Sequence, residues 1–367
     1  MNAQAKSGRN FGIDLLRGVA MFLVILWHFI GQGGLLSHAE SGSVKYWVLC
    51  FVQILSICCV NLYGLTTGYM MCDKPFRLSR IAKVWATTVF WSVAVSCVFF
   101  ALVPESRTVE AMVSMFLPIL RGRYWFFTAY FVVMMVSPAL NLLIRSLTKG
   151  QYRLLLAALF LIFGIVPVGA LGNDVLRIST GHHFSWMIVL YIIGGYLRRF
   201  APERKANCWL LGYFLLALVH LAYKFVTRIV GLGGLSNLML TYVSLLVVGE
   251  AICLFLYFKD AFVGITRESL AGKLISFAAP GVYSVYVIHV HPAVYWNGEI
   301  LFLFRAWDSW NTLAVCTAMI VSAAALFAVC ICLDAVRQRL FRILGIDRAI
   351  DLVSARIDEK VRTIAEK

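Results

Sequence analysis

The chain has 367 residues, 61% of them hydrophobic, with a mean hydropathy of +0.83 and a formal net charge of +15. A soluble domain is roughly 45–50% apolar, so the composition excludes one and requires a polytopic membrane protein. Long apolar runs without strict alternation exclude a β-barrel and leave helices, the all-α class.

From the N-terminus onward, the hydropathy pattern predicts ten spans, near residues 11–31, 46–70, 84–103, 124–144, 152–170, 185–200, 208–226, 236–258, 276–297 and 310–333. The first lacks a small-residue cleavage site and is longer than a signal-peptide core, so it is expected to stay in place. Lys74, Arg77, Arg80 and Lys83 follow the second span, Arg145, Lys149 and Arg153 flank the fifth, and Arg198, Arg199, Arg204 and Lys205 follow the sixth. The intervening loops carry far fewer cations. This is the positive-inside pattern, which places both termini in the cytoplasm and accounts for the charge without a nucleic-acid partner. The outer segment 104–123, with Pro104 and Pro118, reads as a re-entrant or interfacial piece. The ten cysteines lie in or beside spans with no C-x-x-C pair, so no disulfide framework or zinc site is expected. Neither an internal repeat nor a P-loop, G-x-G-x-x-G or H-E-x-x-H motif occurs. Two units follow: a transmembrane domain over 1–333 and a basic cytoplasmic tail over 334–367. In the tail Ile346, Ile350, Val353, Ile357, Val361 and Ile364 recur every three or four residues, the period of an amphipathic helix. Its expected place is the inner membrane surface or the cytoplasmic loops, a dimerising helix being the alternative.

Ionisable residues in hydrocarbon cost about 2.5–3.5 kcal/mol or more, so those inside the spans carry information. In the first span Arg17 and His28 stand eleven residues apart. On a helix that is three turns plus roughly 20°, one face and about 16 Å of axis. Asp14 lies on the adjoining turn, completing a polar stripe. The ninth span supplies Tyr286, His289 and His291 at about the depth of His28, and His289 and His291 point in different directions, so one of them faces a shared site. At the outer mouth, Arg123 and Trp125 are candidates for contact with a substrate. Glu250 in the eighth span sits at the depth of Arg17, where a buried ion pair between them would explain both. His220 reads as a core histidine. The adjacent His182 and His183 lie in an outer loop, where neighbours rarely converge on one ion, so no metal is expected.

Five of these stretches resemble the membrane acyltransferase family 3. They are the Arg17-to-His28 spacing, LTTGYM at 65–70, RLSRIAKVW at 77–85, RYWFFTAYFVVMMVSPAL at 123–140 and SVYVIHVHP at 284–292. They occur in the family's order, over about 11–333, with Thr67 where the family usually has serine and Val290-His291 inserted before Pro292. The resemblance implies an O-acyltransferase of the bacterial cytoplasmic membrane. It would move an acyl group, usually acetyl, from cytoplasmic acyl-CoA to a glycan hydroxyl at the outer face. No hydrolase-like domain is fused to it, so it is expected to act alone or with a separate envelope partner. His28 is then expected to be the base or acyl carrier, assisted by Tyr286 or His289, with Arg17 and Asp14 holding the donor or the stripe. Arg77, Arg80 and Lys83 suit the phosphates of the donor. No tightly bound cofactor is expected. The rival reading is an exporter of a sugar or small metabolite, whose polar stripe would bind cargo; a noncatalytic partner in polysaccharide assembly is the third.

Overall fold

Short polar side chains start the helices. Asn10 accepts the N–H of Ile13 and Ser43 that of Tyr46, each at 3.1 Å, so α1 (Phe11–Ile30) and α2 (Val44–Ile57) begin where their first orphan donors are satisfied. A break at Cys58 separates α2 from α3 (Cys59–Met71). Then come α4 (Leu78–Leu102), the short α5 (Val109–Phe116) within the segment 104–123, α6 (Trp125–Ser146) and α7 (Lys149–Phe160), which continues through a π turn. The chain closes with α8 (Phe184–Phe200), α9 (Ala206–Ile229), α10 (Leu245–Ala261), α11 (Leu270–Ala278), α12 (Val282–His289), α13 (Thr312–Ile343) and α14 (Ile346–Ala365). This computed structural model describes residues 9–296 and 302–365, and among them no strand occurs.

Among the described residues, seven helical stretches are long and apolar enough to cross a membrane, and α11 with α12, bent by 45° around Pro280, would make an eighth. The remaining two of the ten expected spans are α8 and α10, of 17 residues each. At 1.5 Å per residue each is about 26 Å long, just under a typical hydrocarbon core of about 30 Å. The count of ten therefore does not stand on helix length. The last span runs on past residue 333 as α13 to Ile343, with Asp334 fully buried. Asp334 accepts from Arg337 at 2.6 Å, from Trp91 of α4 at 2.9 Å and from Ser284 of α12, which ties three helices together. The tail helix α14 starts after Gly345. Its Asp351 meets Lys83 at 2.7 Å and its Asp358 accepts from the Leu78 N–H at 3.2 Å, so it docks on the start of α4.

Backbone contact explains one of the sequence motifs. A Cβ on Gly68, in LTTGYM, would meet the Tyr191 carbonyl oxygen at 2.0 Å, and one on Gly194 would meet that of Leu65 at 2.2 Å. Small residues let α3 and α8 touch along their backbones, the usual way membrane helices pack without a hydrophobic driving force. Asn141 then pins the pair, donating to Met71 O at 3.2 Å and accepting from Tyr191 at 2.7 Å. Asn61 does the same nearer the other end, donating to Tyr242 O at 2.8 Å and accepting from Trp186 at 3.1 Å. Against this frame α1 lies centrally, with Gly12 on the Phe258 carbonyl of α10 and the rest of the helix in contact with α2, α3, α12 and α13.

Candidate active site

The helix α1 joins two cavities. Where it starts, at the basic end of the bundle, a cavity of about 1030 Å³ is lined by Arg9, Asp14, Arg17, Tyr69, Lys74 and Arg198 among others. Asp14 holds Arg9 at 2.5 Å and lies 3.7 Å from Arg17. The Arg17 side chain is still 37% exposed, enough to reach a ligand. Arg198 meets Asp73 at 3.1 Å. Four cations facing one wide opening make an anion-attracting surface. Arg77, Arg80 and Lys83, the residues chosen from sequence for phosphate, stand outside this lining. Lys83 is engaged by Asp351, and Arg80 donates to the Pro75 carbonyl at 2.8 Å. A one-dimensional reading finds clusters of cations; which cluster faces a cavity depends on how α14 docks.

Eleven residues on, His28 enters a second chamber of about 70 Å³, walled by Tyr63, Trp125, Phe126, His182, Tyr242, Tyr286 and Tyr295. Between the two, the Tyr63 hydroxyl donates to the Arg17 carbonyl at 2.8 Å. The 45° bend before α12 brings His289 to His28, with Nε2 of His289 3.1 Å from Nδ1 of His28. The hydrogens on this pair are fixed by its far end. His289 Nδ1 lies 2.5 Å from the Val285 carbonyl, which can only accept, so the proton of a neutral His289 is on Nδ1 and its Nε2 is a bare acceptor. His28 must therefore donate through Nδ1. Its Nε2, on the other side of the ring, is left as a free lone pair with no partner among the described residues. The same logic orients a base in hydrolytic triads, with a carbonyl and a second imidazole here in place of a carboxylate. Tyr286, on the chamber wall, is 5% exposed and its hydroxyl has no partner among the described residues.

Of the two histidines in the SVYVIHVHP stretch, His289 thus faces His28. His291 is fully buried in another polar cluster, where Arg123 donates to Ser96 Oγ at 2.9 Å and stands 2.7 Å from His291 Nε2. Arg123 is therefore turned inward, and of the two outer-mouth residues only Trp125 reaches the chamber. The Arg17–Glu250 ion pair is not formed. Glu250 is fully buried and its nitrogen partner is His220, Nδ1 3.4 Å from Oε1, while the partner of Arg17 is Asp14 at 3.7 Å. Equal depth was the wrong criterion, because it ignores which way around each helix a side chain points.

Sequence reasoning weighed His182 only as a metal ligand beside His183 and did not place it at the site. It belongs to the loop before α8, yet its ring packs 4.6 Å from Trp125 and 4.8 Å from Tyr242, on the chamber wall. Burial against its neighbours outweighs its hydrogen bond to Ser179 and holds its pKa below the ordinary histidine value. No periodicity marks a loop residue, so nothing in the local pattern could have found it. Tyr63, Tyr242 and Tyr295 were missed for a different reason: aromatic residues are common in any span, so none of them stood out.

The arrangement combines an oriented neutral base, an unpaired hydroxyl donor and an aromatic-lined pocket, at the far end of a helix whose start lines a cationic cavity. Such a set can take a proton from one reacting atom and stabilise negative charge developing on another, beside a surface that attracts anions. A family model described as an acyltransferase domain matches residues 10–333. No curated protein and no solved structure matches the chain.

Proposed function

The chain belongs to the membrane acyltransferase family 3, and from that premise we propose that it moves an acyl group, in the main case acetyl, from acyl-CoA at the cytoplasmic face to a hydroxyl of a cell-surface glycan at the outer face of a bacterial cytoplasmic membrane. The observation that carries this reading is the His28–His289–Val285 relay, which leaves His28 Nε2 bare in a chamber. In the reaction, the acceptor O–H gives its proton to His28 Nε2 as its oxygen attacks the thioester carbonyl. The positive charge on His28 is shared with His289 through the 3.1 Å contact. The Tyr286 hydroxyl donates to the developing oxyanion. When the C–S bond breaks, the proton on His28 passes to the thiolate, so one proton moves from oxygen to sulfur and none is lost. Arg9, Arg17, Lys74 and Arg198 grip the phosphates of the donor, and its acyl arm follows α1 toward His28, about 16 Å away by helical rise. Arg77 and Arg80 keep the general role of basic loop residues.

The positive-inside bias supports this orientation. Cysteines placed at Ser41 or Thr108, in a background without native cysteines, should react with an impermeant thiol reagent in intact cells, and one at Glu359 should not. The activity itself is tested by labelled acetyl-CoA supplied to inverted membrane vesicles: label should enter surface glycan with the protein present and not with His28→Ala. Equal incorporation with and without the protein would sink the acyltransferase assignment for glycans.

A further inference from the structure

The loop histidine has its hydrogen fixed in the same way as His28. His182 Nδ1 lies 2.8 Å from the Ser179 carbonyl oxygen, which can only accept, so a neutral His182 carries its proton on Nδ1. Its Nε2 is then a second bare acceptor, with no partner among the described residues, on the wall of the chamber that holds His28. The loop spends conformational energy to hold it there. Arg177, Ser179 and Thr180 all have positive φ, at +51°, +46° and +56°, without being glycine. Thr180 is further pinned by the Tyr242 N–H, which donates to its carbonyl at 3.2 Å. Strain of this kind persists only where the surroundings impose it, and it clusters at functional sites. Here it sets one imidazole against Trp125 and Tyr242, tilted by 58° and 53° to their rings.

We propose that His182 is the acceptor-positioning residue, and that the acceptor is a polyol presenting two adjacent hydroxyls. One hydroxyl donates to His28 Nε2 and is acylated; its neighbour donates to His182 Nε2 and is not. Two imidazole acceptors on the wall of one small chamber suit an acceptor that brings two O–H donors, and a lone alcohol supplies one. The aromatic rings that wall the chamber suit the apolar C–H edge of a polyol, and a volume of about 70 Å³ admits the reacting edge and not a whole glycan. This inference rests on the acyl transfer proposed above and adds the selection of the acceptor.

The test uses the full-length protein in two readouts. Purified parent, His182→Ala and His182→Gln are reconstituted in nanodiscs, and their thermal stabilisation by acetyl-CoA is measured. The same three are expressed in cells whose surface glycan is analysed for ester content and position. His182→Ala is expected to keep the parental midpoint for acetyl-CoA within twofold, yet to lose at least tenfold of the glycan ester. His182→Gln, whose amide oxygen can accept in place of Nε2, should recover part of it. In the parental product the carbon beside the ester should carry a free hydroxyl. Parental glycan ester in His182→Ala would overturn the proposal, as would loss of acetyl-CoA stabilisation together with the ester, which marks a merely structural role. An ester whose neighbouring carbons are all substituted or deoxygenated would overturn it too. A parent protein that adds no ester to any glycan would instead remove the acyl-transfer reading, and this inference with it.

Discussion

The two ends of α1 are built on opposite plans. The basic cavity is wide, about 1030 Å³, and its cations are long side chains with at least one ionic partner each for Arg9, Arg17 and Arg198. The His28 chamber is about 70 Å³, walled by aromatic rings, with hydrogens assigned by hydrogen bonds to fixed carbonyls. The first plan suits recognition of a large charged group, for which several weak, screened contacts are enough. The second suits chemistry on a few atoms, where one misplaced lone pair costs the reaction. Damage to the two ends should therefore differ in kind as well as size.

The largest effect is expected at His28. A positioned base contributes a factor of about 10²–10⁴ in rate, so His28→Ala and His28→Asn should each lose that much acyl transfer while inserting and purifying like the parent. Parental transfer by His28→Asn would move the base elsewhere and dissolve the contrast. Next comes His289→Ala, which leaves His28 in place but frees its tautomer. Losing a hydrogen bond to a charged group costs about 1.5–3 kcal/mol, roughly ten- to a hundredfold, and should appear in kcat with KM for acyl-CoA unmoved. A smaller change of the opposite type is expected for Lys74→Ala and Arg17→Ala. Exposed charge contacts are each worth up to about 1 kcal/mol, so KM for acyl-CoA should rise about two- to fivefold, with less difference at high salt. A fall in kcat at constant KM would show that the basic end takes part in the chemistry. The smallest concerns Glu250. Since it pairs with His220 and not Arg17, the effects of Glu250→Gln and Arg17→Ala on thermal stability should add to within about 0.5 kcal/mol. Strong coupling between them would restore the ion pair expected from depth alone.

The glycine of LTTGYM shows how a motif can be structural inside a functional region. Gly68 lets α3 meet the Tyr191 carbonyl, and the same helix pair then fixes Asn61 and, through Tyr242, the chamber wall. Likewise Ser284 of the SVYVIHVHP stretch points away from the chamber and onto Asp334 of α13, while Tyr286 and His289 of the same short helix line it or face His28. A helix of eight residues has too little contact surface to hold its own rotation. A polar tether on one side orients what the other side presents.

What the sequence determined by itself was everything governed by one helix at a time. Composition forced a membrane bundle, and the 3.6-residue period put Arg17 and His28 on one face of α1 and identified the apolar stripe of the tail. The order of the motifs was enough to raise the family. What only the tertiary structure decided were pairings between helices far apart in the chain. His28 meets His289 across 261 positions of sequence, and the choice between His289 and His291 turned on which of them docks against α1 and which against Arg123. Glu250 went to His220 and not Arg17, and Lys83 to Asp351 and not an open cavity, because helix rotation and docking set direction where sequence gives only depth. His182 lay beyond periodicity altogether: a loop residue acquires a role only when other elements build the wall it stands on.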